Sequence, residues 1–161
     1  MPGFDAIYKQ TVTLFNRVQM FEHGDEDQCV WFPTVLKGVH LIVDQSSRWD
    51  TQGGAASDNV RLHVRYVIRD GQIMVGDKPY YPPKVWRQLA MPETCLTFNY
   101  GSQTDFDFFV EGEYDEFNLP VADEQYDKGF YNYMNKKCDN VFAITSVSKY
   151  NLIPHFEIMA R

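Results

Sequence analysis

Val141-Phe-Ala-Ile-Thr-Ser-Val147 and Pro154-His-Phe-Glu-Ile-Met-Ala160, on either side of a short polar turn, decide how the rest of the chain is read. Both runs are rich in β-branched and aromatic residues, which suit a pleated, half-buried surface. They predict a terminal hairpin. At the end of a mostly β chain, such a hairpin closes a compact barrel or sandwich. The expected fold is mainly β: a small β-barrel or sandwich with two short helices and long loops.

Working back from that hairpin, the chain supplies the other walls. Gln10 to Phe15 is a first strand, with Thr11, Thr13 and Phe15 alternating with Val12 and Leu14. Glu22-His-Gly-Asp-Glu-Asp27 has the small and charged residues of an exposed turn. Val30 to Val43 is a second strand broken by Pro33 and Gly38, where an edge, a bulge or a sharp bend is expected. Asn59 to Ile68 puts Val60, Leu62, Val64 and Tyr66 on one face and Arg61, His63 and Arg65 on the other. Asp70-Gly71 then supplies a tight hairpin turn, and Gln72 to Val75 returns.

The segment 80–91 places prolines ahead of Val85, Trp86 and Leu89 at helical spacing, with Pro92 after them, predicting a short helix that plugs a barrel end. Thr94 to Tyr100 and Phe106 to Tyr114 read as two more strands around Gly101-Ser102. Gln125 to Lys137 turns helical, with Phe130, Tyr133 and Met134 in pattern. Lys136 and Lys137 suit the negative C-terminal end of that helix.

A chain of 161 residues supports one core, so residues 1–161 are expected to form a single domain. An N-terminal arm spans 1–9. Residues 44–57 lack any period and carry Gly53-Gly54, which reads as a long loop; Arg48, Trp49, Asp50, Gly53 and Gly54 are its candidate interface residues.

Hydrophobic residues make up 44% and aromatics 16%, too apolar for a disordered chain. The net charge of −7 argues against a protein that grips nucleic-acid phosphates. Cys29, Cys95 and Cys138 are odd in number and widely spaced, unlike a zinc knuckle or redox pair, and read as free, mostly buried thiols. The N-terminal residues lack a basic segment followed by an apolar one, and no run has the length of a membrane span. Synthesis and assembly in a reducing cytoplasm, with no membrane partner, are expected.

The segment 101–127 has no Lys or Arg, yet it holds Asp105, Asp107, Glu111, Glu113, Asp115 and Glu116, and then Asp123, Glu124 and Asp127. One sign of charge over such a stretch makes a local negative field. A plain solvated face, a cation site and a phosphate-repelling wall compete for it, and charge runs are usually solvated. The first six acids are the candidate channel-facing or interface residues.

Glu111 and Glu113 stand two apart on an expected strand, roughly 6.5 to 7 Å along the backbone, a spacing found in inverting glycosidases. With exposed Trp31, Trp49 and Trp86 as stacking platforms they outline a carbohydrate-binding or glycan-cleaving module. Core positions for Trp31 and Trp86 are the plainer reading. His23, His40, His63 and His155 are scattered, with His40 and His155 read as structural. Asp25-Glu-Asp27 does not continue as a calcium loop. Arg61, Arg65 and Arg69 share one strand face, solvated or paired with an acidic neighbour. No nucleophile elbow, phosphate loop or dinucleotide fingerprint is present, so no catalytic residue, metal or cofactor is expected.

In chain order, Thr11-Val-Thr-Leu-Phe-Asn16, Trp31-Phe-Pro-Thr-Val-Leu-Lys-Gly-Val39, Asp58-Asn-Val-Arg-Leu62, Tyr81-Pro-Pro-Lys-Val-Trp86, Asp107-Phe-Phe-Val-Glu-Gly-Glu113 and Phe142-Ala-Ile-Thr-Ser-Val147 with Pro154-His-Phe-Glu157 form a set. The set resembles a family of small structural proteins of tailed phages and prophages of Gram-positive bacteria. A broader likeness is to head-tail connector proteins of the head-completion or stopper kind. The larger stretch from Tyr80 to Tyr133 departs from them.

The resemblance implies a non-enzymatic virion protein, assembled in the host cytoplasm as a homo-oligomeric ring. Its implied partners are portal or adaptor and tail proteins, with DNA passing through unbound. Tail-completion and minor capsid roles share the small barrel.

Overall fold

The computed structural model describes residues 7–22, 26–44, 59–101, 105–114 and 120–161. The chain is mainly β, 52% strand, and forms a closed six-stranded barrel with a further strand. Strand β1 (Gln10–Glu22) and β2 (Glu26–Val43) make a long antiparallel hairpin, both extending further than the sequence pattern predicts. The ring runs from β1 through β7 (Phe108–Glu111), β9 (Val141–Tyr150), β10 (His155–Ala160) and β3 (Val60–Arg65) back to β2. Thus β10 lies between β9 and β3, so the terminal hairpin closes the barrel.

Closure needs the strands to stagger, because a sheet wraps into a barrel only with tilt and shear. β1 accompanies β2 as far as Val39, and β3 pairs it from His40. β9 likewise pairs β7 through Val141–Ala143 and β10 from Ile144 onward. Each long strand carries a bulge near that handover, at Gly38 in β2 and around Thr145 in β9.

A bulge adds one residue, and with a side-chain period of two it reverses which residues face in. In β2 the core side chains are Leu36 before Gly38 and Val39 and Leu41 after it. In β9 they are Phe142 and Ile144 before the bulge, with Val147 packed against the core after it. Gly38 adopts φ of 72°, a left-handed conformation that side-chain-bearing residues adopt only at a cost. The break expected at that glycine is a corner of the barrel.

Alternation along β3 is as the pattern predicts, with Val60, Leu62 and Val64 buried and Arg61 and Arg65 exposed. The chain turns at Asp70-Gly71, both at positive φ, and β4 (Val67–Arg69), β5 (Gln72–Val75) and β6 (Lys78–Pro79) form a separate three-stranded sheet. β8 (Val121–Ala122) pairs β2 at Val30 and Trp31.

Two α-helices occur among the described residues. α1 (Pro83–Trp86) buries Trp86 against Val18, Phe32 and Cys95, on the inward-facing side of the hairpin where it runs past the barrel. Val85 is exposed and takes no part in that packing. α2 (Phe130–Lys137) covers the outside of the wall: Phe130 and Met134 pack on Phe15, Trp31 and Phe108. Fully burying such a large side chain is worth about 1.5–3 kcal/mol, so this second layer fixes β1 and β7 from outside as the core does from within. It is also why Phe15 is buried together with Val12 and Leu14, where alternation alone predicts one wet face on β1. Thr13 on that same face is covered by the Gly112–Tyr114 turn, and Asn16 belongs to the inward face, bonded to Thr97 and Asp107.

The strand expected over Thr94–Tyr100 is not formed; it is an extended segment with one parallel bridge, Tyr80 to Leu96. It lays Leu96 and Phe98 into the barrel core. Its main chain is satisfied by side chains and loop carbonyls, including Asn16 Nδ2 donating to the Thr97 carbonyl at 2.7 Å, so a ladder is not needed. The strand expected over Phe106–Tyr114 is confined to Phe108–Glu111, since Gly112 turns the chain out of the ladder.

Replacing Gly38 by Ala is expected to lower stability by about 1–2 kcal/mol, the cost of a left-handed residue with a Cβ. Urea unfolding should show a lower midpoint at unchanged slope.

Candidate functional site

The acidic block is dispersed by the fold. Asp107 is fully buried, which removes it from any channel-facing or interface role. Its Oδ1 accepts the Arg17 main-chain N–H at 2.8 Å, and its Oδ2 accepts Asn16 Nδ2 at 2.8 Å and the Asn99 N–H at 2.9 Å. Burial pushes its carboxyl up to about 7, while these donors and the Arg87 charge pull the other way.

Asp105 is half-buried and accepts Arg87 Nη2 on both carboxylate oxygens at 2.7 Å, with Arg17 Nη1 at 3.3 Å. Cations from β1 and the α1 region therefore balance a stretch that has none of its own.

Glu111 is exposed at the end of β7 and accepts Asn140 Nδ2 at 2.7 Å. Glu113 lies beyond the strand, with its carboxylate 3.7 Å from Lys37 Nζ. The strand ends at Glu111, and Gly112 turns the chain at φ of 105°, so the two acids do not stand on one strand face as expected. Asp115 and Glu116 lie outside the described residues, as do Arg48, Trp49, Asp50, Gly53 and Gly54.

Among the described residues, two of the expected stacking platforms are not on the surface. Trp31 and Trp86 are buried, and neither offers a face for stacking. Trp31 Nε1 donates to Asp123 Oδ1 at 2.9 Å, and the same oxygen accepts the Phe130 N–H at 2.8 Å. Asp123 thereby caps α2 from outside its own sequence and ties it to β2, a structural use of an acid counted with the surface block.

Side chains scattered in sequence come together on the outer face of β2, β3 and β10. His40 stands opposite His63, and His63 opposite Glu157, across the two ladders. His155 precedes Glu157 by two and shares its face. The His40 and His63 rings stack at 5.7 Å, His63 and His155 lie 5.5 Å apart, and Tyr150 stacks on His155 at 4.9 Å. Arg65, next along β3, rests its guanidinium 4.4 Å over the Tyr8 ring.

Partial burial, opposed by Glu157 and aided by His155, His40 and Arg61, lowers the pKa of His63. His155 Nδ1 lies 2.6 Å from the Ile153 carbonyl. A carbonyl only accepts, so Nδ1 donates its N–H there. His63, His155 and Glu157 have ligand atoms within 4.8 Å of one another.

Sequence reasoning treated His40 and His155 as isolated structural residues and missed this row. The outward-facing sets of β3 and β10 were legible separately. Their alignment depends on a pairing between strands far apart in the chain, which periodicity within either one does not encode.

A family model described as a family of unknown function (DUF6751) matches residues 7–161. The chain belongs to that family. Comparison with curated proteins and with solved structures gives no match. Arg61 and Arg65 are exposed on the histidine face, while the break at Tyr66 places Arg69 on a different sheet. The three cysteines are free, and burial pushes the Cys29 thiol up to about 11, which leaves it inert near neutral pH.

The Asp107 network makes stability depend on pH in a defined direction. The folded chain keeps the Asp107 proton up to about 7, whereas the unfolded one releases it near 3.8. Between those values the folded state binds more protons, so its stability falls as pH rises. Denaturant unfolding over that window should show the decline in the wild type and a flatter profile in Asp107→Asn. Asp123→Ala removes the acceptor for two buried donors and should cost about 1–3 kcal/mol in the same assay.

Proposed function

We propose that this protein is a non-enzymatic structural subunit of a tailed-phage particle, acting at the head-tail connector as a head-completion or stopper component in a homo-oligomeric ring. The observation that carries the reading is an apolar tip at one end of the barrel. Leu152 is 97% and Ile153 52% exposed in the turn between β9 and β10. Tyr66 ties that turn to the start of β4, its hydroxyl donating to the Tyr150 carbonyl and its N–H to the Pro154 carbonyl. Val67 and Ile68 follow at once and are also exposed. Among the described residues β4 pairs only with β5, leaving its other edge open.

Large apolar side chains beside an open strand edge suit strand addition by a neighbour, and monomeric proteins usually avoid the combination. Such a surface serves docking to a second copy, or to portal, adaptor and tail proteins. The net charge of −7 suits a conduit past which DNA slides without adhering. The burial of Trp31 and Trp86 weighs against the glycan-binding alternative.

Mass spectrometry of purified particles is the direct test, with the protein expected as a stoichiometric component; its absence would overturn the reading. Leu152→Asp combined with Ile68→Asp should leave the thermal melt of the isolated chain unchanged and abolish incorporation into particles.

A further inference from the structure

We propose that His63, His155 and Glu157 form a binding site for a late first-row divalent cation, zinc foremost, on the outer face of the barrel. One imidazole nitrogen from each histidine and one carboxylate oxygen already lie within 4.8 Å of one another. A tetrahedral zinc ion with ligands at about 2.0–2.2 Å holds them roughly 3.3–3.6 Å apart, so the three heads draw in by little more than about 1 Å. Small rotamer adjustments supply that. Two histidines and a glutamate with one position open is a donor set that zinc takes, whereas magnesium and calcium require mostly oxygen.

The backbone fixes the arrangement. His63 and Glu157 are directly paired across the β3–β10 ladder, and His155 is the next outward residue on β10, so all three heads rise from a hydrogen-bonded sheet. Ligands on paired strands lose little entropy when they converge on an ion.

A second observation points the same way. His155 Nδ1 donates to the Ile153 carbonyl, the kind of outer-shell contact that orients a metal-binding imidazole. Tyr150 and His40 stack on the flanking rings and restrain their rotation. Arg61 and Arg65 lie on either side of His63 along the same face and oppose a cation, so Glu157 supplies the necessary negative charge. The site needs no assembled ring, and the assembly reading needs no ion.

The test titrates zinc chloride into the chelator-stripped full chain, with magnesium chloride as control, by calorimetry and by NMR of the imidazole nitrogens. The expected result is one zinc ion per chain, no uptake of magnesium, and joint shifts of the His63 and His155 resonances. His155→Ala and Glu157→Gln should each weaken binding at least about tenfold while the metal-free melting curves match the wild type. Both substituted side chains are only partly buried, so these variants keep their folds. Absence of zinc uptake by the wild type would overturn the proposal. So would uptake that survives both substitutions at undiminished affinity, which would place the ion elsewhere.

Discussion

The carboxyl group of Asp107 holds together parts of the chain that no ladder joins. It receives donors from β1 through Asn16 and Arg17, and from the irregular segment ahead of β7 through Asn99, while its own main-chain carbonyl accepts the Ile144 N–H of β9 at 3.0 Å. Leu96 and Phe98 enter the core with the Thr97 carbonyl bonded to Asn16 and the Asn99 N–H bonded to Asp107, while the Thr97 hydroxyl is buried without a partner among the described residues. A buried polar group without a partner costs more than a typical hydrogen bond contributes. The fold therefore depends on the main-chain and carboxyl bonds of this network, which join β1, the segment ahead of β7 and β9.

Much of the architecture is legible in the sequence because it is local. Val60 to Tyr66 alternate, Asp70-Gly71 specify their turn, and the closing hairpin and the Phe130–Met134 face carry their own periods. The segment over Thr94–Tyr100 misleads because strand composition reports burial as well as pairing; Leu96 and Phe98 are apolar for the core, and a single bridge at Leu96 is all the pairing the segment makes among the described residues. The acidic block misleads for a related reason. Its members are adjacent in sequence, yet Asp107 faces inward, Asp123 turns to α2, and Asp105 meets arginines brought by other elements.

The candidate metal ligands and the apolar tip share one end of the terminal hairpin. His155 is bonded to the carbonyl of Ile153, one residue from Leu152. Tyr66 anchors the base of the turn on the inward side, and the histidine row lines the outward side. The proposed ligands and the exposed apolar side chains are thus collected where β9, β10 and β3 meet, while the rest of β9 and β10 serves as wall. No helix among the described residues is long and apolar enough to cross a membrane.

The bulge at Gly38 governs more than a corner. Before it, the even-numbered residues of β2 face the core; after it, the odd-numbered ones do. If Gly38 were kept but the strand ran straight through it without a bulge, His40 would point among the core side chains and Leu41 toward water. The outer histidine row thus owes one of its members to a backbone irregularity rather than to its own strand pattern. A related chain of the same length that ran straight through this position would keep nearly the same composition and yet present a different surface, so the bulge is itself part of what this face encodes.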